Sequence, residues 1–288
     1  MAYLRVRQAL PCTSLPVQTA AVTASPASTA LLPAAVTART VAAGSGVAVL
    51  AVAGWRSTGV LHGCDEQGRL VLLLPPDAVL PDLPPVGPPP GTSVLEVERS
   101  AALPDATVPL ASVQVWLDLE EVPPSERPQA LELLAGCHSL AGALRSWRGR
   151  RLLRGTVQHV HCHRAPRCEE VDAEAFAAAA PDPVGPWEAD ALERLRVDLR
   201  EELLDGLRRA GPAARSRMVL DGPAWRGTAD LADALPIAVD ERGTTVLGVL
   251  SDGDRLHLRL PFATRPLDVD DVSDLTSTAL HEAVAATA

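Results

Sequence analysis

Residues Arg150–Pro183 read RRLLRGTVQHVHCHRAPRCEEVDAEAFAAAAPDP, and the way this run folds decides the architecture around it. Arg151 to His163 reads as a long strand. Its period of two puts His159, His161 and His163 on one face, with Cys162 and Cys168 close by. Imidazole and thiolate are ligands suited to zinc or another borderline metal, so the three histidines are candidate metal ligands. Same-face neighbours on a strand stand about 7 Å apart, so three imidazoles reach one ion only where a bulge bends the strand. A polar strand face or a barrel rim is the other reading of the same residues. Glu169, Glu170, Asp172 and Glu174 follow as an acidic cluster, in which Asp172 is placed to cap the short helix DAEAFAAAA.

Upstream, residues 1–33 are rich in Ala, Thr, Ser and Pro without helical or strand period, and are expected to form a disordered tail. A short helix is expected over Ala34–Ala43. Gly44-Ser45-Gly46 then turns the chain into the β-rich run Val47–Gly54; it precedes a strand instead of opening a helix, so it is not a dinucleotide loop. Gly59–Cys64 and Arg69–Leu74 flank Asp65-Glu66-Gln67-Gly68 as a hairpin. The prolines between Pro75 and Pro90 predict a surface loop. Strands follow at Ser93–Glu98 and Ser112–Glu121, the second alternating Val113, Val115, Leu117 and Leu119 with polar partners, and Ser125–Cys137 reads as an amphipathic helix. Five or six strands with tight turns and few helices indicate a barrel, not a parallel sheet.

After Pro181-Asp182-Pro183 the pattern changes. Leu192, Leu195, Leu199, Leu203 and Leu207 predict one helix ended near Gly211, with Trp187 as a core or interface anchor at its start. A three-stranded meander over Ile237–Asp240, Thr244–Leu250 and Arg255–Leu260 follows, with His257 facing solvent, and a final helix covers about Asp271–Ala285. The expected organisation is a tail (1–33), a barrel (34–180) and a small α+β domain (181–288).

Composition excludes several functions. The chain of 288 residues has 47% apolar and 22% charged residues, which describes a globular protein with ample core. It contains no lysine, so neither a Schiff base to pyridoxal phosphate nor a P-loop lysine is available. The net charge of −10 argues against nucleic acid as a ligand. Five cysteines without regular spacing give no disulfide framework, and free thiols suit a reducing cytoplasm. No apolar run is long enough for a membrane span and no secretory core is visible, so a cytoplasmic location is expected. No nucleophile-elbow motif supports hydrolase chemistry.

Two stretches carry a family resemblance. ARTVAAGSGVAVLAVAG from Ala38, VLHGCDEQGRLVLLLP from Val60 and EVDAEAFAAAAPDPV from Glu170 resemble the barrel of HugZ-like proteins, a branch of the flavin-binding split-barrel superfamily that includes the pyridoxamine phosphate oxidases. LPIAVDERG from Leu235 and RLHLRLPFATRP from Arg255 resemble the small C-terminal domain of unknown function that accompanies that barrel. The resemblance implies an α+β protein with an N-terminal split β-barrel, a homodimer, and haem or FMN bound at the dimer interface in active members. HugZ-type members degrade haem with a histidine as iron ligand, which makes His62, in a predicted strand, a candidate cofactor residue; core packing is its other reading. The chain departs from the family in two places. Where many relatives carry His-Met-Asn-x-Asp-His, Leu192–Leu204 has no histidine, and the segment after Leu74 offers a flavin phosphate little besides backbone. Three functions stay open at this point: a haem or flavin oxidoreductase, a non-enzymatic binding or scaffold module that has lost its cofactor site, and a metal-binding protein using the histidine strand.

Overall fold

The computed structural model describes residues 31–44, 46–76, 78, 93–103, 106–138, 150–164, 167–221 and 231–285. The expected tail and the proline-rich loop fall almost wholly outside the described residues. After helix α1 (Ala34–Ala42), strands β1 (Val47–Val52), β2 (Trp55–Cys64), β3 (Leu70–Leu73), β4 (Ser93–Leu103), β5 (Ala106–Glu121), β6 (Leu152–Arg164) and β7 (Arg167–Asp172) form one antiparallel sheet. Its order is β3-β2-β1-β4-β5-β6-β7, and a further pairing of β3 with β6 closes six of the strands into a ring.

The closure explains the length of β6. Its first part, Leu152–Gly155, pairs with β3, and its second part, His159–Arg164, pairs with β7. The histidine run therefore lies beyond the point where the ring closes. Sequence patterning gives no sign of β7, whose Glu169, Glu170 and Asp172 read only as part of an acidic cluster. It also shortened β4 and β5, whose hairpin continues to Leu103 and Ala106.

Leu50, Leu72, Leu95, Val113, Val115, Leu117 and Val160 fill the ring. Each such side chain contributes about 1.5–3 kcal/mol by leaving water. Helix α1 plugs one opening with Ala38, Val41 and Ala42, and α3 (Ala173–Ala178) adds the fully buried Phe176. Asp172 caps α3 as expected, its carboxylate accepting from the Ala175 amide at 2.7 Å. Arg39 fastens this plug. Its guanidinium lies over the Phe176 ring and donates to the Asp65 and Ala179 carbonyls and to the Cys64 sulfur.

The C-terminal part holds more than the meander predicted from sequence. Strand β8 (Val219–Asp221) adds to β9 (Leu231–Asp240), β10 (Gly243–Leu250) and β11 (Arg255–Pro261) in a four-stranded sheet of order β8-β11-β10-β9. The single leucine helix is two helices, α4 (Glu188–Asp198) and α5 (Arg200–Arg209), broken at Leu199 with φ −117°, and a short further helix, α6 (Pro212–Met218), follows the expected end near Gly211. The leucine period runs across the break because both pieces turn their apolar faces to the same sheet, so periodicity alone could not find it. Helix α7 (Val269–Ala285) closes the layer through Val272, Ala279 and Leu280. Trp187 packs half-buried among Val184, Leu192 and Leu195, and His257 is half-buried opposite Asp221, where a solvent-facing residue was expected.

The two sheets share packing. Ala101 and Val108 of the β4–β5 hairpin meet Ile237 and Leu247 of the second sheet. Among the described residues no helix is long and apolar enough to cross a membrane.

Candidate functional site

A cleft of about 550 Å³ opens where α1, α2 (Arg127–Cys137) and the segment following α3 meet. Thr40, Ala43 and Gly44 form one wall, Ala135 to His138 the second, and Pro181, Asp182, Gly185 and Pro186 the third. These are small or apolar residues with three polar groups set among them. Gly44 makes the walls approach closely, since a Cβ there would come within 2.7 Å of the Cys137 Cβ.

His138 stands at the end of α2. Its Nε2 donates to the His62 carbonyl at 2.7 Å, because a carbonyl only accepts. That bond fixes the tautomer and leaves Nδ1 as the lone-pair nitrogen. An imidazole held by a backbone carbonyl on one nitrogen is the usual arrangement of a metal-ligating histidine. Cys137 beside it is a poorer ligand, because burial pushes its thiol pKa up.

His62, the candidate cofactor residue, is fully buried and backs this wall without lining the cleft. Its ring meets that of His138 edge-on, with centroids 5.8 Å apart, and Nε2 lies 3.3 Å from the Val41 carbonyl. Its Nδ1 has no partner among the described residues. Burial lowers its pKa to about 4, so the ring is neutral near pH 7.

Asp182 is the acidic group of the cleft. It is buried, accepts from the Val184 and Glu241 amides, and its own amide donates to the Thr40 hydroxyl at 2.7 Å. Burial raises its pKa to about 6. Sequence reading singled out neither His138 nor Asp182. The one available signal was Gly-Cys-His at the end of a predicted helix; the residues that make it a wall, Gly44, His62 and Pro181 among them, lie more than 40 positions away in the chain.

The histidine strand forms a second constellation, on the outer face of the sheet. His159 and His161 come together with ring centroids 4.6 Å apart, and Glu170 joins them from β7. His163 does not: its ring lies 6.5 Å from that of His161, and its Nε2 sits 3.7 Å from the Cys168 sulfur. Reading Arg164–Arg167 as a hairpin connection would have placed Glu170 opposite His161, but the prolyl dipeptide gave no turn signal strong enough to prompt it.

Fit to the cofactors that the fold suggests can be judged from these residues. A haem would need an iron ligand between apolar walls, and the cleft offers His138 among alanine, glycine and proline neighbours. A flavin phosphate would need cationic or hydroxyl donors, and among the described residues the cleft offers Thr40 opposed by Asp182, with no arginine. The described residues suit haem better than FMN.

A closed antiparallel ring followed by helices and a second sheet is the α+β fold expected from the sequence resemblance, a split-barrel-like ring with a smaller C-terminal part. A particular solved structure shares it through both parts: "heme binding protein from Mycobacterium smegmatis", TM-score 0.52 at 22% identity, over 88% of this chain and 98% of that one. At this identity the likeness concerns the fold. Looser likenesses include the protein Atu2129, of unknown function, from Agrobacterium tumefaciens C58 (TM-score 0.37, 16% identity, 88% of this chain and 97% of that one). Campylobacter jejuni ChuZ is another (0.35, 10%, 48% and 60%). No protein-family model matches the chain, and no curated protein does.

Proposed function

We propose that the protein binds haem in the cleft between α1 and α2, with His138 as the iron ligand, and works as a homodimer. The observation that carries this reading is His138, which lines a cleft of small apolar residues with its imidazole anchored through Nε2 on the His62 carbonyl. The mycobacterial haem-binding protein with the same fold supports it. Haem would supply the redox chemistry; the chain supplies the ligand, the apolar walls, and in Asp182 a carboxyl group that changes charge near pH 6. An oxidoreductase activity of the haem-degrading type belongs to the same proposal. The homodimer is carried by the family resemblance, and the cytoplasmic location by cysteines 64, 137, 162 and 168, all free thiols.

Haemin titration of the purified protein tests the reading. A Soret band that saturates at one equivalent per chain, weakened at least tenfold in His138→Ala and unmoved by FMN, supports it. A protein that takes up neither haem nor FMN leaves the scaffold reading in its place. Degradation is read separately, as loss of that band with ascorbate and oxygen. Sedimentation tests the dimer.

A further inference from the structure

We propose that His159, His161 and Glu170 form a binding site for a zinc-class divalent cation on the outer face of the barrel, independent of the cleft. Two imidazoles and a carboxylate each bring a ligand atom to within 4.8 Å of the others, and His159 Nδ1 lies 3.4 Å from a Glu170 oxygen. Donors on a tetrahedral zinc stand about 3.3 Å apart, given metal–ligand bonds of about 2.0–2.1 Å. The remaining closure is within the reach of small side-chain rotations.

The backbone places the three histidines on one face, and their side chains set which two converge. Between Trp116 and Leu117 the β5–β6 register slips: Trp116 pairs with His159 but Leu117 pairs with Val157, leaving Gln158 as the extra residue of a bulge. A bulge bends and coils a strand. Beyond the bulge His159, His161 and His163 keep regular register with Trp116, Gln114 and Ser112. The rings of His159 and His161 lean together to 4.6 Å between centroids, whereas His163 turns to Cys168.

The flanking residues hold the donors in place. Glu170 is the direct β7 partner of His161 in the ladder, so its position follows from the same hydrogen bonds that make the sheet. The Trp116 ring stands against both imidazoles, at centroid distances of 5.1 and 4.8 Å, and limits their rotation. Behind them Val160, Cys162 and Val171 are buried in the core, so the strands cannot shift. The ligand types select zinc, nickel or copper over calcium and magnesium. Three protein donors leave a fourth position open to water.

The test uses the full chain, stripped of metal with a chelator and titrated with zinc ion alone by calorimetry. One equivalent per chain is expected, with affinity reduced at least tenfold in Glu170→Gln and in His161→Ala and changed less than twofold in His163→Ala. Matching thermal melts identify the variants as folded, since the substituted side chains lie on the sheet surface. Cobalt gives a second readout, a visible spectrum of nitrogen and oxygen ligands. The proposal is overturned if the wild type takes up no more zinc than a His159→Ala/His161→Ala double variant. Equal losses in His163→Ala and Glu170→Gln, or a thiolate charge-transfer band from Cys168, would also overturn it.

Discussion

Arg99 on β4 of the barrel is ion-paired with Glu188 at the first turn of α4, and both side chains are largely enclosed. The other Glu188 oxygen accepts from the Val239 amide at 2.8 Å, so one carboxylate ties the barrel, α4 and the second sheet together. Burial raises its pKa and Arg99 opposes that rise. Removing the cation strands a buried carboxylate, a change that costs about 3 kcal/mol. Arg99→Ala is expected to lower the denaturant midpoint accordingly, and adding Glu188→Gln to restore part of the loss, because the amide still accepts from Val239. Additive losses in the double variant would refute the coupling.

His62 and Asp182 titrate in the same pH window with opposite signs. His62 falls from 6.5 to about 4, so its folded form binds fewer protons than the unfolded chain, and its stabilising contribution is lost as pH drops through that range. Asp182 rises from 3.8 to about 6, so its folded form binds more, and its contribution is lost as pH rises toward 6. Each is worth at most about 3 kcal/mol, and the two nearly cancel. Melting temperatures of Asp182→Asn minus wild type should climb between pH 4 and 6, whereas those of His62→Gln minus wild type should fall between pH 4 and 6.5. Parallel curves for all three proteins would show that neither group is perturbed.

The elements most legible in sequence were those whose burial alternates or whose turns carry glycine. The β2–β3 hairpin around Gly68, the β9–β10–β11 meander and the Asp172 cap all stand where residue patterns place them. The site was less legible. His138 is one histidine after a helix until Gly44 and Pro181 fold against it. Strand β7 alternates half-buried with exposed residues and has Val171 as its one buried residue, so no apolar run announces it. Without β7 the pairing of Glu170 with His161 was invisible, and the three histidines looked equivalent.

Gly243 begins β10 opposite Pro261, and a Cβ there would lie 2.3 Å from the Leu260 carbonyl oxygen. The obstacle is backbone in a paired strand, which cannot swing aside as a side-chain tip would. Gly243→Ala must therefore spread β10 from β11 and disturb Arg259, whose side chain is buried on Asp240 and Thr245. A loss of about 3 kcal/mol is expected, at the upper end for overpacking. Gly136→Ala is the control: among the described residues nothing lies within 4 Å of its Cβ, and alanine suits a helix better by about 1 kcal/mol. If both variants melt with the wild type, the β10–β11 contact is looser than its geometry indicates.

Ala53 and Gly54 turn β1 into β2, with Val52 paired to Trp55 across them. Both have positive φ, 47° and 86°, the signature of the two-residue turn whose twist matches the flanking strands. Glycine occupies such a position freely, but for alanine the left-handed region costs about 1 kcal/mol. Asparagine tolerates it best among residues with side chains, and this chain contains none. Ala53→Asn is expected to stabilise the fold by about 1 kcal/mol, raising the melting temperature by about 2–4 °C for a protein of this size. Ala53→Val, β-branched and poorly suited to positive φ, should lower it by a similar amount. Because the turn lies far from the β6–β7 histidines and from α2, both variants should bind haem and zinc as the wild type does, which separates stability from site chemistry in one pair of proteins.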